Sequence, residues 1–352
     1  MKAAQLTGIR RFEIREVPDP QIANDTDVLV RVTVVGVCGS DVHYYTEGRI
    51  GTQVVEFPFT IGHEAAGVVE GIGRAVRRVR PGDRIAVDPT HACGTCDQCR
   101  AGRENTCRRL QFLGCPKQLD GALSEYLVLH EHCCYPIRPR MTAEQAALSE
   151  PLGIAVYAVE RTFPGRGASA APSISSGILG LGPIGQSVFH VLRAAGAGDV
   201  YATDKIPERL AFAAPLKPKW TGKPDHPDAA DEILARAPLG LDVVYECSGD
   251  PAAIRQAIRL CKPGGRLVVV GIPEVDEIAL PVHELRRNEV TVYNIRRQAG
   301  CTQKALDLID KKKVKIDGMV THRFPLERTQ EAFALVANYR DGVMKAMITV
   351  SS

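Results

Sequence analysis

Short β-rich apolar runs dominate the first 135 or so positions. Val28 to Val35, Ala66 to Glu70 and Arg84 to Val87 are examples, and clusters of Gly, Pro and Asp separate them. That pattern predicts a compact β-rich body. Near Thr142 the period changes. Ala143 to Arg161 reads as helical, and Pro164 to Ser176, rich in Pro, Gly, Ser and Ala, reads as a loop. Strand and helix patterns then alternate: Ile178 to Leu181, a helix over Ile184 to Ala195, Asp199 to Ala202, Leu241 to Tyr245 and Arg266 to Val270. Strands separated by amphipathic helices predict βαβ units and a parallel sheet. Lys217 to Pro227, rich in Pro, Lys and Asp, does not fit that scheme and is read as a surface excursion. Thr302 to Tyr339 carries two helical patterns and a strand, and Met344 to Val350 closes the chain as another strand. No internal repeat is present.

A chain of 352 residues predicts two domains at roughly 150 residues each. The fold class is α/β, a β-rich domain followed by a doubly wound parallel sheet. The formal net charge of +3 is spread along the chain, and its short basic clusters, Arg77-Arg78 and Lys311 to Lys313, read as solvated surface. No basic stripe is interleaved with aromatics, which argues against a nucleic-acid partner. No run approaches the ~20 apolar residues of a membrane span, and Met1 to Glu16 does not read as a signal peptide. The expectation is a soluble, cytoplasmic protein. Eleven cysteines in such a chain point to metal or redox chemistry more than to disulfides.

Gly180-Leu-Gly182-Pro183-Ile184-Gly185 matches GxGxxG. The motif alone is weak, but here it follows a predicted strand and opens a helix, the context that confirms it. The glycines permit a tight turn and close approach of a pyrophosphate to the helix N-terminus. Asp204, 19 residues beyond Gly185, is placed to accept from ribose hydroxyls and to repel a 2′-phosphate, which favours NAD over NADP. Arg209, Cys247, Ser248, Val270 and Gly271 complete the expected cofactor-binding set.

Cys93, Cys96, Cys99 and Cys107 follow a CxxCxxC-x7-C spacing. Four thiolates so spaced can wrap one zinc tetrahedrally. A closed shell leaves no position for substrate, so that zinc is expected to be structural; an iron–sulfur site is the competing reading. Cys38, Ser40 and His43 follow one strand and His63 and Glu64 another, while Glu150 lies in Ser149-Glu150-Pro151. Together they offer thiolate, imidazole and carboxylate, the donors a catalytic zinc takes.

The stretch Gly62-His63-Glu64-x2-Gly67-x5-Gly73-x2-Val76 resembles the zinc signature of the medium-chain alcohol dehydrogenase family. Cys38-Gly-Ser-Asp, Pro81 to Arg84, the cysteine lobe and the Gly180 fingerprint agree in order and spacing, so the resemblance covers nearly the whole chain. Cys38 to Tyr45, Glu47 to Gly51 and Glu150-Pro-Leu resemble the sorbitol (polyol) dehydrogenase branch; Glu150-Pro-Leu is also similar to threonine and butanediol dehydrogenases. The resemblance implies a GroES-like zinc-binding domain over residues 1–150, a Rossmann domain over 151–296, and a return to the catalytic domain over 297–352. It implies an active site in the cleft between domains and a dimer or tetramer, built near Val290 to Ile295. It carries over Cys38, His63 and Glu64 as zinc ligands, with Glu150 binding directly or through water.

Two zincs per chain, one catalytic and one structural, and NAD are therefore expected. Zinc would acidify the substrate hydroxyl and the nicotinamide would take hydride. Ser40 and His43 would pass on the proton. Tyr44, Glu150 and Arg296 would contact the hydroxyls of a polyol-like substrate. The alternatives are threonine 3-dehydrogenase, 2,3-butanediol dehydrogenase or aminocyclitol dehydrogenase activity, and a non-catalytic NAD-binding sensor. The chain departs from the family pattern at 165–176 and 213–228, and Arg297 stands where polyol dehydrogenases carry tyrosine.

Overall fold

The computed structural model describes residues 1–162, 174–225 and 228–351. The chain forms two compact units, Met1–Glu150 with Thr302–Ser352, and Pro151–Cys301. Most of the expected loop at Pro164 to Ser176 lies outside the described residues, although Ser176 itself begins a strand.

The first unit is built on a seven-stranded sheet. Its central strand, Asp27–Gly36, pairs antiparallel with Glu64–Ile72, Tyr126–His130 and Lys345–Thr349. Val28, Val30, Val32 and Val35 are buried in its core, as the apolar pattern requires. Lys345–Thr349 pairs parallel with Val320–Pro325, so the C-terminal residues complete this sheet. A smaller three-stranded sheet joins Lys2–Gly8, Arg11–Glu16 and Phe59–Thr60.

Register decides where the chemistry collects. Gly36 lies opposite Glu64 on one side and Met347 on the other. One strand therefore delivers Cys38 just beyond its end, the next is entered through His63, and the last contributes Lys345. A Cβ on Gly36 would sit 2.2 Å from Glu64 Oε2, so only glycine leaves room for that carboxylate.

The predicted helix at Ala143 to Arg161 is two helices, Ala143–Ala147 and Ser149–Thr162. Thr142 and Gln145 form a capping box on the first. Pro151, in the first turn of the second, cannot donate into a continuous ladder, so a new helix begins at Ser149.

The second unit holds a six-stranded parallel sheet. In chain order its strands are Ser176–Leu179, Val200–Thr203, Trp220–Gly222, Leu241–Glu246, Cys261–Val269 and Thr291–Asn294, arranged in space 3-2-1-4-5-6. This is the doubly wound order whose loops at the carboxyl ends of the first and fourth strands bind dinucleotides. The excursion expected at Lys217 to Pro227 is corrected here. Trp220–Gly222 pairs with Val200–Thr203 as the edge strand of the sheet. Three residues between Pro218 and Pro224 are too few to show a period, and an edge position tolerates such flanks. Arg236 stacks over the Trp220 ring at 5.7 Å and covers the edge. The helix Pro183–Ala194 is buried on all sides from Gly185 to Leu192, more completely than an amphipathic surface helix.

His190 on that helix is 6% exposed, and burial lowers its pKa to about 4. The folded state therefore binds fewer protons than the unfolded chain between pH 6.5 and 4. Stability should fall across that window by up to about 1.4 kcal/mol per unit as pH is lowered. His190→Gln is expected to flatten the dependence of melting temperature on pH between 7 and 5. An unchanged slope would mean that other groups govern it.

Candidate active site

The four lobe cysteines converge. One ligand atom from each of Cys93, Cys96, Cys99 and Cys107 lies within 4.8 Å of the others. Sulfur–sulfur separations are 4.0 Å for Cys93–Cys99, 3.5 Å for Cys96–Cys99 and 3.9 Å for Cys96–Cys107. Arms of about 2.3 Å around a tetrahedral zinc give edges of about 3.8 Å, so the set fits that ion. The backbone N–H groups of Cys93 and Arg109 donate to Cys107 Sγ. Donors led by the Thr95 backbone pull the Cys93 thiol down to about 5, whereas burial and its neighbouring sulfurs push Cys99 up to about 12. A cation that stabilises all four thiolates resolves that spread.

The second set is less tightly gathered. Among the described residues, only the four cysteines form a group of three or more donors close enough for a metal. His63 is buried, and its Nδ1 lies 3.2 Å from Asp41 Oδ1. Cys38 also hydrogen-bonds the His63 side chain. Burial opposes the imidazolium, but the charges of Asp41 and Cys38 outweigh it and raise the pKa well above its usual value. The field that would hold a proton there suits a dication equally. Asp41 lies three residues after Cys38 on the helix Gly39–Glu47, so this orienting carboxylate was visible as an i, i+3 spacing that the sequence reading passed over.

Glu64 is 1% exposed, and both its oxygens accept from Lys345 Nζ, at 2.8 and 2.7 Å. Lys345 also donates to Val37 O. Glu64, expected as a zinc ligand, is here engaged by a cation from its own unit, and the partner 281 residues away had no sequence signal. Glu150 is buried at the start of its helix. Burial, reinforced by the charges of Glu64 and Asp88, pushes its pKa up to about 7. The Ser40 hydroxyl donates to Cys38 Sγ at 3.3 Å. His43 lies half-buried one turn further along the helix.

Tyr44 is buried on the same helix, its hydroxyl 3.4 Å from Gln53 Oε1 and 3.8 Å from Cys115 Sγ. Gln53 and Gln118 each donate a side-chain N–H to that sulfur, at 2.9 and 3.0 Å. Phe112, three residues before Cys115, packs against the His63 ring at 5.3 Å. Gln53 meets Cys115 and Gln118 from a segment 62 residues before Cys115 in the chain, a pairing not legible in sequence. Arg296 is exposed in the second unit, just beyond Thr291–Asn294.

The dinucleotide fingerprint forms the expected turn. Gly180 has φ +92°, and a Cβ on Gly185 would lie 1.9 Å from Gly180 O. Gly182 is the N-cap of a 12-residue helix, Pro183 opens it, and no side chain caps its first N–H groups. Those groups and the helix dipole suit a phosphate. Asp204 is 6% exposed. It accepts from Leu181 N at 2.6 Å and from Ile206 N at 2.8 Å, so it fastens the glycine turn to the neighbouring strand. Arg209 approaches Asp204 to 3.9 Å and borders Gly182. Lys205 is paired with Asp250. Cys247 and Ser248 follow one strand, and Val270 and Gly271 the next.

Cys107→Ser is expected to remove one equivalent of zinc per chain by elemental analysis while NAD affinity is kept. Retention of that zinc would refute the four-sulfur shell. Lys345→Met strands a buried carboxylate and should cost roughly 3–5 kcal/mol in denaturant unfolding. The double variant Lys345→Met/Glu64→Gln should recover most of that loss, and a double variant no better than the single would show that packing dominates.

Two family models match the chain: the alcohol dehydrogenase GroES-like domain over residues 24–139 and the zinc-binding dehydrogenase over 183–311. The sorbitol dehydrogenase of Bacillus subtilis is 36% identical over 99% of this chain and 97% of its own length. A protein of Sinorhizobium meliloti, described as a zinc-binding dehydrogenase and solved with NADP, superposes with TM-score 0.88 at 29% identity, covering 99% of each chain. The 2R,3R-butanediol dehydrogenase of Bacillus subtilis superposes with TM-score 0.87, also at 29% identity and 99% coverage of each chain. No helix among the described residues is long and apolar enough to cross a membrane. By sequence and by fold, the chain belongs to the zinc-binding medium-chain alcohol dehydrogenase family, in its sorbitol dehydrogenase-like branch, and is an oxidoreductase of that family.

Proposed function

We propose that this enzyme oxidises a secondary alcohol of a polyol with NAD as acceptor. Cys38, His63 and Glu150 would hold the catalytic zinc, and Cys93, Cys96, Cys99 and Cys107 the structural one. The observation that carries this reading is the pairing of Glu64 with Lys345 beside the Cys38–His63–Asp41 cluster. With Glu64 engaged, Glu150 is the buried carboxylate left for the metal. The similarity to a sorbitol dehydrogenase along nearly the whole chain supports the polyol class.

When bound, zinc supplies Lewis acidity toward the substrate oxygen and NAD supplies the hydride acceptor. The chain's own residues set the stage. Asp41 holds Nδ1 of His63 and leaves Nε2 as the metal-facing nitrogen. Ser40, fixed on the Cys38 sulfur, is the first station for the departing proton, and His43 on the same helix is the next. Tyr44, Glu150 and Arg296 are the proposed contacts for substrate hydroxyls. Asp204 favours NAD, because a 2′-phosphate would meet its carboxylate. The enzyme is proposed to be cytoplasmic and a homodimer or homotetramer, paired through the edge strand Thr291–Asn294, of which Thr291, Val292 and Asn294 are exposed.

The structural likeness to a butanediol dehydrogenase favours a vicinal diol as the second reading. The test follows NADH formation with zinc-replete protein and sorbitol, xylitol, galactitol, inositols, threonine or 2,3-butanediol, each with NAD and NADP. Selective turnover of one polyol with NAD is expected, and Glu150→Gln should lower kcat/KM by about 100-fold. Preference for butanediol or threonine would discard the polyol assignment while keeping the site. Full activity and zinc content in Glu150→Gln would remove Glu150 from the metal shell.

A further inference from the structure

Glu246 closes the fourth strand of the parallel sheet and is fully buried. No substrate or cofactor role was expected of it. Its Oε1 accepts three hydrogen bonds, from Ser248 N at 2.7 Å, Ser248 Oγ at 2.6 Å and Gly249 N at 2.9 Å. Its backbone carbonyl accepts two more, from Val270 N at 2.8 Å and Gly271 N at 3.0 Å. One residue therefore fastens two loops, those that follow the fourth and fifth strands.

Those loops also abut one another and the fingerprint with no spare volume. A Cβ on Gly180 would lie 2.9 Å from Ser248 N. One on Gly249 would lie 2.3 Å from Ile272 O, and one on Gly271 would lie 2.2 Å from Gly249 N and 2.7 Å from Glu246 Oε2. Each contact is closer than a side chain tolerates, so a shift of the Ser248–Gly249 turn would push directly on Gly180 or Gly271. Among the described residues, Oε2 is buried and has no hydrogen-bond partner.

We propose that Glu246 is a positioning residue for the dinucleotide: its carboxyl sets the Cys247–Gly249 turn, and through it the spacing between the Gly180 fingerprint and the Val270–Gly271 loop. The inference rests on the NAD site proposed above. It places the demand on geometry, an acceptor of fixed reach, more than on charge.

The test compares Glu246→Ala, Glu246→Gln and Glu246→Asp as zinc-replete enzymes, with NADH affinity read from the enhancement of NADH fluorescence and with steady-state kinetics. Glu246→Ala strands three donors, and its Kd for NADH and KM for NAD should rise at least about tenfold. Its kcat and its KM for the alcohol should stay within about threefold. Glu246→Gln keeps an acceptor at full reach and should restore most of the affinity. Glu246→Asp keeps the charge but draws the acceptor back by about 1.5 Å, and should bind NADH more weakly than Glu246→Gln. The Gln and Asp comparison stands even where the Ala variant fails to fold. Aspartate matching glutamine, or NADH affinity unchanged in both, would overturn the proposal while leaving the NAD site intact. Absence of NADH binding by the unmodified enzyme would overturn the NAD site itself.

Discussion

The buried pair between Glu64 and Lys345 is the constraint around which the first unit is organised. Both side chains are 1% exposed. A carboxylate so far from water needs compensation, here a cation with good geometry, because desolvating each charge costs several kcal/mol. Both oxygens of Glu64 face the ammonium, which also reaches Val37 O. The pair ties together three strands whose residues come from both ends of the chain. Cys38 and His63 sit at the ends of two of those strands, so the ion pair and the register it accompanies fix where a thiolate and an imidazole meet. Gly36 is glycine because the Glu64 carboxylate occupies the place of a side chain.

The two proposed metal sites differ in a way that follows from their construction. The lobe cysteines lie within fifteen residues, separated by short turns, and they converge by local geometry alone. The catalytic set spans more than a hundred residues and depends on sheet register, a helix start and a buried counter-charge. Two of its members are oriented by a neighbour outside the set: Asp41 bonds His63 and Ser40 bonds Cys38. A site with preset orienting contacts and loosely spaced donors suits a metal that must keep a position open for substrate.

In the second unit the same economy is expressed through glycine and backbone donors. Asp204 bonds Leu181 N, and Glu246 bonds Ser248 N and Gly249 N, so two carboxylates hold the loops of the proposed dinucleotide site. Neither carboxylate relies on a buried lysine of its own. Both accept from backbone N–H groups, and Asp204 also has Arg209 at 3.9 Å.

Much of this was legible in the amino-acid order. The apolar run from Val28 to Val35, the change of period near Thr142, the glycine fingerprint and the cysteine spacing each depend on neighbours within a few residues, and local sterics and hydrogen bonding act over that range. By itself the sequence determined a β-rich unit, a βαβ unit, a cluster of four converging cysteines and a glycine turn that opens a helix. The tertiary structure alone decided the rest. Trp220–Gly222 is a strand because Val200–Thr203 offers it an edge, not because three residues between prolines favour one. Glu64 is paired with Lys345, Gln53 meets Cys115, and Glu246 reaches the loop at Val270 and Gly271. Those partners lie far apart in the chain or in separate segments, and their energies arise only after burial has removed water, which no local pattern of residues encodes.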